Sequence, residues 1–202
     1  MKIFALLALQ LVLAAVPAAP AVAQTQTRHV VLAGGCFWGM QMVFEKLKGV
    51  SKVVAGYSGG NAATAHYDIV STGSTGHAES VDVTYDPSQI SFDTLLKVYF
   101  FVAEDPTELN YQGPDHGTQY RSVIFYADAS QKRAAEAMIR SLQTGHAFSR
   151  PIVTQVVPLK AFYRAEDYHQ EFGVHNPDNP YIVANDLPKV ATLRERFPNL
   201  VR

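Results

Sequence analysis

The chain has 202 residues, of which 48% are hydrophobic and 17% are charged, and its formal net charge at pH 7 is -1. A balance this close to neutral, without a run of Lys or Arg, predicts no nucleic-acid partner and no attraction to a membrane surface. The single cysteine excludes an intramolecular disulfide, and the hydrophobic content is sufficient for a core that needs none.

The N-terminal residues have the order of a secretory signal peptide. Lys2 precedes an apolar run over residues 3–16 that only Gln10 interrupts, and small residues follow up to Ala23. The run is shorter than the about 20 residues of a membrane-spanning helix, although a retained anchor is the alternative. We expect a signal peptide at 1–23, a single mature domain at 24–202, export to the bacterial periplasm and no stable membrane insertion after cleavage.

The mature chain begins with a predicted strand over residues 29–33 and a helix with Met40, Phe44 and Leu47 on one face. Residues 50–57 predict a second strand. The alternation of apolar and polar residues over 78–85 predicts a third strand.

The later elements complete the pattern. Ser91 and Ser130 are suitable N-caps for two helices, each of which precedes or follows a predicted strand. The further strands are predicted at 120–126 and 152–157. The order strand, helix, strand, strand, helix, strand indicates an α+β fold, the α/β plait with a ferredoxin-like split βαβ core, extended by one helix and one strand. Four prolines after Asn176 predict a mostly coiled C-terminal tail that wraps on the core.

The only cysteine, Cys36, lies where the first strand passes into the first helix. Gly34 and Gly35 allow a sharp turn and a close approach of backbone to ligand. A helix N-terminus favours thiolate over thiol, which is the setting of a nucleophile, while a small buried apolar residue is the alternative. The aromatic rings of Phe37 and Trp38 can form a socket for a methyl group or belong to the core.

Residues 35–39, Gly-Cys-Phe-Trp-Gly, resemble the signature of the A-type peptide methionine sulfoxide reductases. Further stretches match in the same order, and the matches extend from about residue 30 to residue 196. They are 55–60 (Ala-Gly-Tyr-Ser-Gly-Gly), Tyr67, 76–79 (Gly-His-Ala-Glu), 115–122 (Asp-His-Gly-Thr-Gln-Tyr-Arg-Ser) and 165–170 (Ala-Glu-Asp-Tyr-His-Gln).

The resemblance implies an oxidoreductase that reduces methionine S-sulfoxide, free or in proteins, through a sulfenic acid on Cys36, with no bound cofactor and no metal. It implies that Phe37 and Trp38 receive the methyl group and that Glu79 donates a proton to the sulfoxide oxygen. It also implies that Tyr67 and Tyr120 hydrogen-bond this oxygen and that Asp115 shapes the polar side of the pocket.

Glu79 has a chemical reason for this role, because a sulfoxide oxygen leaves sulfur only when it is protonated. Burial among aromatic rings would keep such an acid protonated near neutral pH. The strand pattern alone instead favours a solvated Glu79. On the same ground Tyr67 and Tyr120 would be half-buried aromatics and Asp115 a turn residue.

The chain departs from the family near the C-terminus. Many members have a further cysteine near the C-terminus that closes a disulfide with the catalytic sulfur, and here Ile182 follows Pro180-Tyr181 at the matching place. We therefore expect an external thiol, either thioredoxin-like or small, to reduce the sulfenic acid. The expected partners are oxidised proteins or free methionine sulfoxide, and we expect a monomer.

Two other classes of function remain open from the residues alone. A cysteine hydrolase would use His169 or His175 as its base, and a non-catalytic module would hold thioethers in the aromatic socket. Seven histidines are present without the spacing of a zinc site, and we interpret His77, His116 and His169 as supporting or structural.

Overall fold

The computed structural model describes residues 27–202, so the predicted signal peptide at 1–23 lies outside the described part. The strands are β1 (Arg28–Ala33), β2 (Val50–Ser58), β3 (Ala78–Tyr85), β4 (Tyr111–Gln112), β5 (Asp115–His116), β6 (Val123–Tyr126), β7 (Gln155–Pro158) and β8 (Phe162–Arg164). The α-helices are α1 (Phe37–Glu45), α2 (Tyr67–Val70), α3 (Phe92–Val98), α4 (Ala129–Thr144), α5 (Phe172–His175) and α6 (Leu187–Arg196).

The main sheet has six strands in the order β7-β6-β1-β3-β2-β8, and β4 and β5 form a separate pair. The four inner strands are antiparallel and carry the order of a ferredoxin-like plait, with α1 joining β1 to β2 and α3 lying between β3 and β6. Helix α4 then leads to β7, which is parallel to β6. The predicted fold class, with its added helix and strand, is confirmed. Strand β8 was not predicted.

The sheet is strongly curled. Only residues 159–161 connect β7 at one edge to β8 at the other. Four Cα steps span at most about 14 Å, whereas six flat strands would be about 24 Å wide. The two edges therefore approach each other, and a small apolar cluster fills the concave face, with Val31, Val123 and Phe125 packed by Leu159 and Phe162.

The convex face carries the larger core, in which α1, α3 and part of α4 pack on the sheet. Val30 and Leu32 of β1 point to this side and are fully buried, while Val31 and Ala33 point to the concave side. Both faces of β1 are therefore covered, which explains its nearly continuous apolar sequence. None of the helices between residues 27 and 202 is long and apolar enough to cross a bilayer.

The predicted coiled tail is wrong for most of its length. Residues 182–186 form a π-helical turn that continues into α6, and Pro188 stands in the first turn of that helix. A proline there is tolerated because the first backbone N–H groups of a helix have no intrahelical acceptor. Val190 and Leu193 are buried, and α6 packs against α1, so the tail does wrap on the core as expected.

Three boundaries also differ. The strand predicted at 120–126 begins only at Val123, because residues 118–120 form a helical turn. Asp128, not Ser130, is the N-cap of α4, since its carboxylate accepts from the N–H groups of Ser130 at 2.7 Å and Gln131 at 2.9 Å. Strand β7 begins at Gln155 rather than at residue 152. The N–H of Val153 donates to Pro106 at 2.8 Å, and pairing with β6 starts only afterwards.

Candidate active site

Cys36 lies at the N-cap of α1, directly beyond the end of β1. The turn depends on Gly35, whose φ of +88° favours glycine and where a Cβ would lie 2.7 Å from the Cβ of Gln112. The N–H of Gly35 donates to the carbonyl of Tyr120 at 3.2 Å. This bond fixes the segment that carries Tyr120 to the cysteine turn.

Glu79 reaches the same turn because of the strand register. Leu32 of β1 pairs with Val81 of β3, so an antiparallel continuation brings residue 79 opposite residue 34. The carboxylate of Glu79 accepts from the N–H of Phe37 at 3.1 Å, and the residue is 2% exposed. A solvated Glu79, which the strand pattern favoured, is therefore wrong.

Burial raises the pKa of Glu79 from its ordinary value of 4.5 to about 8. The N–H of Phe37 acts in the opposite direction, and the charge of Asp115 adds to the rise. Because the pKa lies above neutrality, the carboxyl group is mostly protonated at pH 7. The site thus holds a buried acid that is hydrogen-bonded to the backbone N–H of Phe37, the residue after the only cysteine.

Cys36 does not match the prediction of a resting thiolate. Its burial raises the pKa of the thiol well above the usual range, and the charges of Glu79 and Asp186 raise it further. The backbone N–H of Trp38 lowers it but does not compensate. A helix terminus contributes about 0.3–1 kcal/mol at most sites, whereas burial can shift a pKa by about 3–5 units. At neutral pH the site therefore holds a thiol beside a carboxylic acid.

The aromatic side of the site is built around Trp38, which is partly exposed. Its ring stacks on Phe172 with centroids 3.9 Å apart and meets the edge of Tyr181 at 5.8 Å. Phe37 is 1% exposed and packs against Tyr57 and His169. The ring of Phe37 therefore belongs to the core, and the ring of Trp38 forms part of the surface beside Cys36.

Tyr67, Tyr120 and Asp115 gather on the polar side. Burial raises the pKa of the Tyr67 and Tyr120 hydroxyls, and the charges of Glu79 and Cys36 raise both pKa values further. No hydrogen bond is among the main causes of these two shifts. Asp115 is half-buried and accepts a hydrogen bond from the hydroxyl of Tyr181. All seven predicted site residues thus lie in the cysteine turn or next to it.

Several residues of this site were missed by the sequence analysis. Glu166 accepts from the Tyr57 hydroxyl at 2.8 Å and from the N–H of Tyr67 at 3.0 Å, which anchors α2 beside the pocket. Glu166 does lie in one of the matching stretches, so a signal was present. Phe172 had none, because its ring comes from a segment without periodic pattern, and Tyr181 was noted only as the neighbour of Ile182. His77 is structural, bonded to the N–H of Gly60 and the carbonyl of Asn61.

A sequence model described as peptide methionine sulfoxide reductase matches residues 28–200. This chain belongs to the peptide methionine sulfoxide reductase family. The match covers nearly all of the described residues, including the cysteine turn, Glu79 and the half-buried aromatic residues around them. Within residues 27–202, no group of three or more His, Cys, Asp or Glu side chains is placed to hold a metal ion.

Curated relatives are similar over most of their length. The peptide methionine sulfoxide reductase MsrA 2 of Mesorhizobium japonicum is 56% identical over 84% of this chain and 87% of its own. MsrA 2 of Synechocystis is 48% identical over 87% of this chain and 82% of its own.

Solved structures of methionine sulfoxide reductases have a similar fold. The reduced form of Mxr1 from Saccharomyces cerevisiae has a TM-score of 0.72 at 32% identity, covering 77% of this chain and 89% of that one. Methionine sulfoxide reductase A of Corynebacterium diphtheriae has a TM-score of 0.67 at 34% identity, covering 78% of each chain.

These comparisons confirm the predicted enzyme class. The chain is a peptide-methionine (S)-S-oxide reductase, an oxidoreductase that returns methionine sulfoxide to methionine and thereby repairs oxidised proteins. The two alternatives, a cysteine hydrolase and a non-catalytic module that binds thioethers, are wrong.

Proposed function

We propose that Cys36 is the nucleophile of this methionine sulfoxide reductase and that Glu79 is its proton donor. The observation that carries the proposal is the position of Glu79: a buried carboxyl group with a pKa of about 8, bonded to the N–H of the residue next to the only cysteine. An acid that keeps its proton at neutral pH is the requirement for making the sulfoxide oxygen a leaving group.

The substrate methyl group packs against Phe37 and Trp38, and the sulfoxide oxygen lies toward Glu79, Tyr67 and Tyr120. The Cys36 thiol loses its proton to solvent, and its sulfur bonds to the sulfoxide sulfur while the proton of Glu79 passes to the oxygen. The S–O bond of the substrate and the new S–S bond then break as the hydroxyl group passes to the sulfur of Cys36 and methionine leaves, and Glu79 later regains a proton from solvent. In the net reaction the substrate sulfur gains two electrons, the cysteine sulfur loses two, and the oxygen ends on Cys36 as a sulfenic acid. Asp115 and its hydrogen bond from Tyr181 support the polar wall.

The sulfenic acid is reduced by thiols from outside the chain, because Cys36 is the only cysteine. A first external thiol attacks the sulfenic acid, which forms a mixed disulfide with Cys36 and releases water. A second external thiol then attacks this mixed disulfide, so that Cys36 is released as a thiol and the reductant is left as a disulfide. A thioredoxin-like protein or a small thiol fits this role. The yeast enzyme Mxr1, which has the same fold, is known in complex with Trx2. Ile182, at the place where many relatives carry a resolving cysteine, is fully buried against Met42 and Val190.

Residues 1–23 act as a signal peptide in this proposal, and the domain at 24–202 works as a monomer in the periplasm without a stable membrane insertion. The order of Lys2, the apolar run and Ala23 supports export. N-terminal sequencing of the protein from a periplasmic fraction tests the cleavage, and its mass in solution tests the monomer. An uncleaved protein in the membrane fraction would contradict this part.

A single-turnover experiment tests the chemistry. The reduced protein is mixed with excess peptide that contains methionine S-sulfoxide, without any reductant. We expect one methionine per chain and one dimedone adduct, located on Cys36 by mass spectrometry. The variant Cys36→Ser should form neither, and the R-sulfoxide should not react. More than one methionine per chain without reductant, or an adduct absent from Cys36, would overturn the proposal.

A further inference from the structure

His169 is a buried histidine at the centre of the aromatic side of the site, to which no part of the reaction above assigns a role. It is 1% exposed, and its Nδ1 lies 3.1 Å from the indole nitrogen of Trp38. An indole N–H can only donate a hydrogen bond, so Nδ1 must be the acceptor. The ring is therefore neutral and carries its proton on Nε2.

The ring of His169 touches three of the residues assigned to the substrate. Its centroid lies 4.9 Å from that of Phe37, 5.8 Å from that of Trp38 and 4.4 Å from that of Tyr67. The neighbouring Tyr168 ring, at 4.2 Å, covers it from the solvent side. A change in the orientation of His169 would thus be felt by both the apolar and the polar side of the pocket.

The backbone holds His169 firmly. The N–H of Ala165 donates to Ala55 of β2 at 2.9 Å, and the side chain of Gln170 bonds both the N–H and the carbonyl of Ala55 at 3.0 Å. The three-residue turn between these anchors, Asp167–His169, is therefore tied to the sheet on both sides. His169 is a fixed point against which the Trp38 ring can be oriented.

Trp38 needs such a point. Its stacking on Phe172 fixes the tilt of the indole, with 12° between the planes, but stacked flat faces can still slide or flip. A directional bond to the indole N–H restricts both movements. That bond is the one to Nδ1 of His169.

A packing role alone does not account for a histidine here. Its Nε2 is buried and has no hydrogen-bond partner among residues 27–202. An unsatisfied buried donor costs about 1–3 kcal/mol, which Leu or Phe at this position would avoid. The nitrogen that does have a partner is the one bonded to Trp38, so the polar function of the ring is to accept that bond.

We propose that His169 is a positioning residue that fixes the indole of Trp38 in the orientation in which it receives the methyl group of the sulfoxide. This inference rests on the proposed role of Trp38. It requires His169 to be neutral, because a proton on Nδ1 would set two donors against each other. The charged group nearest to the ring is the carboxylate of Glu166, and the tyrosines around it, Tyr67 and Tyr168, are neutral at physiological pH.

The single tryptophan makes the hydrogen bond measurable, since the chain has one indole N–H resonance and one source of tryptophan fluorescence. His169→Leu removes the acceptor, while His169→Asn keeps an oxygen at the position of Nδ1. We expect the indole proton to shift upfield and exchange faster in the leucine variant and to stay close to the wild-type position in the asparagine variant. Tyr168→Phe, which leaves the bond intact, is the control.

Kinetics separate positioning from general damage. Losing one neutral hydrogen bond corresponds to about a 2- to 13-fold change in an equilibrium constant. His169→Leu should raise the KM for a sulfoxide peptide by a factor in that range, with less than a twofold change in the single-turnover rate at saturation. His169→Asn should restore KM to within twofold. Equal effects of both variants, or an unmoved indole resonance in His169→Leu, would overturn the inference.

A pH titration of the wild-type protein provides a second test. The indole resonance and the Trp38 emission should change in one transition below pH 6.5, as His169 gains its proton, because burial lowers its pKa. The His169→Asn variant should lack this transition. A transition caused by ionisation of Glu166 would instead remain in the variant. If Trp38→Phe leaves KM unchanged while these spectroscopic results hold, the role of Trp38 in the proposed function is wrong and the hydrogen bond is not.

Discussion

Glu79→Gln is the substitution that tests the chemistry of this site most directly. Glutamine has nearly the same shape, and its amide oxygen can still accept from the N–H of Phe37, as the carboxylate does at 3.1 Å. What the variant loses is the transferable proton. With a pKa of about 8, roughly nine in ten Glu79 side chains carry that proton at pH 7.

The expected loss is large. General acid catalysis contributes about 10²- to 10⁴-fold, so the single-turnover rate of Glu79→Gln at pH 7 should fall by at least about 100-fold, which is about 3 kcal/mol of activation free energy. The pH dependence should change as well. If Glu79 is the acid, the productive pair of Cys36 and Glu79 holds one proton between them, whereas the resting pair holds two. Wild-type kcat/KM should therefore rise about tenfold per pH unit up to pH 8 and then level off.

The assay is formation of methionine from a sulfoxide peptide in a stopped-flow single turnover between pH 6 and 10. In Glu79→Gln the limb of the pH–rate profile that rises up to pH 8 should disappear. The rate should instead rise at higher pH, because burial alone raises the pKa of the Cys36 thiol. Glu45→Gln is a matched control. Glu45 lies at the far end of α1, and burial raises its pKa to about 7. A Glu79→Gln rate within threefold of wild type, or a limb that remains near pH 8, would refute the role of Glu79 as the acid.

Three further predictions concern stability and the thiol. The folded state binds the Glu79 proton up to pH about 8 and the unfolded state only up to 4.5, so the wild-type free energy of unfolding should fall as pH rises through this window. Relative to Glu79→Gln the fall should be on the order of 5 kcal/mol, and urea denaturation of both proteins at pH 5 and 9 measures it; parallel changes would contradict the raised pKa. Asp186 is fully buried, its two carboxylate oxygens have no partner within residues 27–202, and its charge raises the pKa of Cys36. Asp186→Asn should therefore shift the pH profile of Cys36 alkylation by iodoacetamide to lower pH, and an unshifted profile would count against this coupling. A Cβ at Gly39 would overlap the Oδ1 of Asp186, so Gly39→Ala should lose about 1–3 kcal/mol of stability, visible as a lower Tm, while an unchanged Tm would mean that the buried carboxyl moves freely.

Periodicity predicted the framework well. The strand, helix, strand, strand, helix, strand order followed from local apolar patterns, and Ser91 is indeed the N-cap of α3, accepting from the N–H of Thr94. The prolines of the tail indicate broken helices only where they stand inside a helix. Pro188 instead lies in a first helical turn, where the missing N–H costs nothing. Strand β8, three residues long, has no pattern of its own and exists only because it pairs with β2.

The electrostatic state of the site was beyond the reach of local reasoning. A cysteine at a helix N-terminus suggested a thiolate, yet the resting group is a thiol. Glu79 in an alternating strand suggested a solvated charge, yet it is a buried acid. Both pKa values depend on how much water the fold excludes and on which charges it brings close, and neither quantity is a property of nearby residues in the chain.

The amino-acid order alone sets the residue types available for the reaction: one thiol, a glycine pair that lets the chain turn before it, two aromatic rings after it, and no second cysteine to recycle it. These are covalent facts or local backbone preferences, which neighbouring residues set. The contact of Glu79 with the N–H of Phe37 and the hydrogen bond from the indole N–H of Trp38 to His169 arise from the folded arrangement instead. Those contacts join residues 42 and 131 positions apart, and they exist because strand register and a curled sheet bring distant segments to one turn.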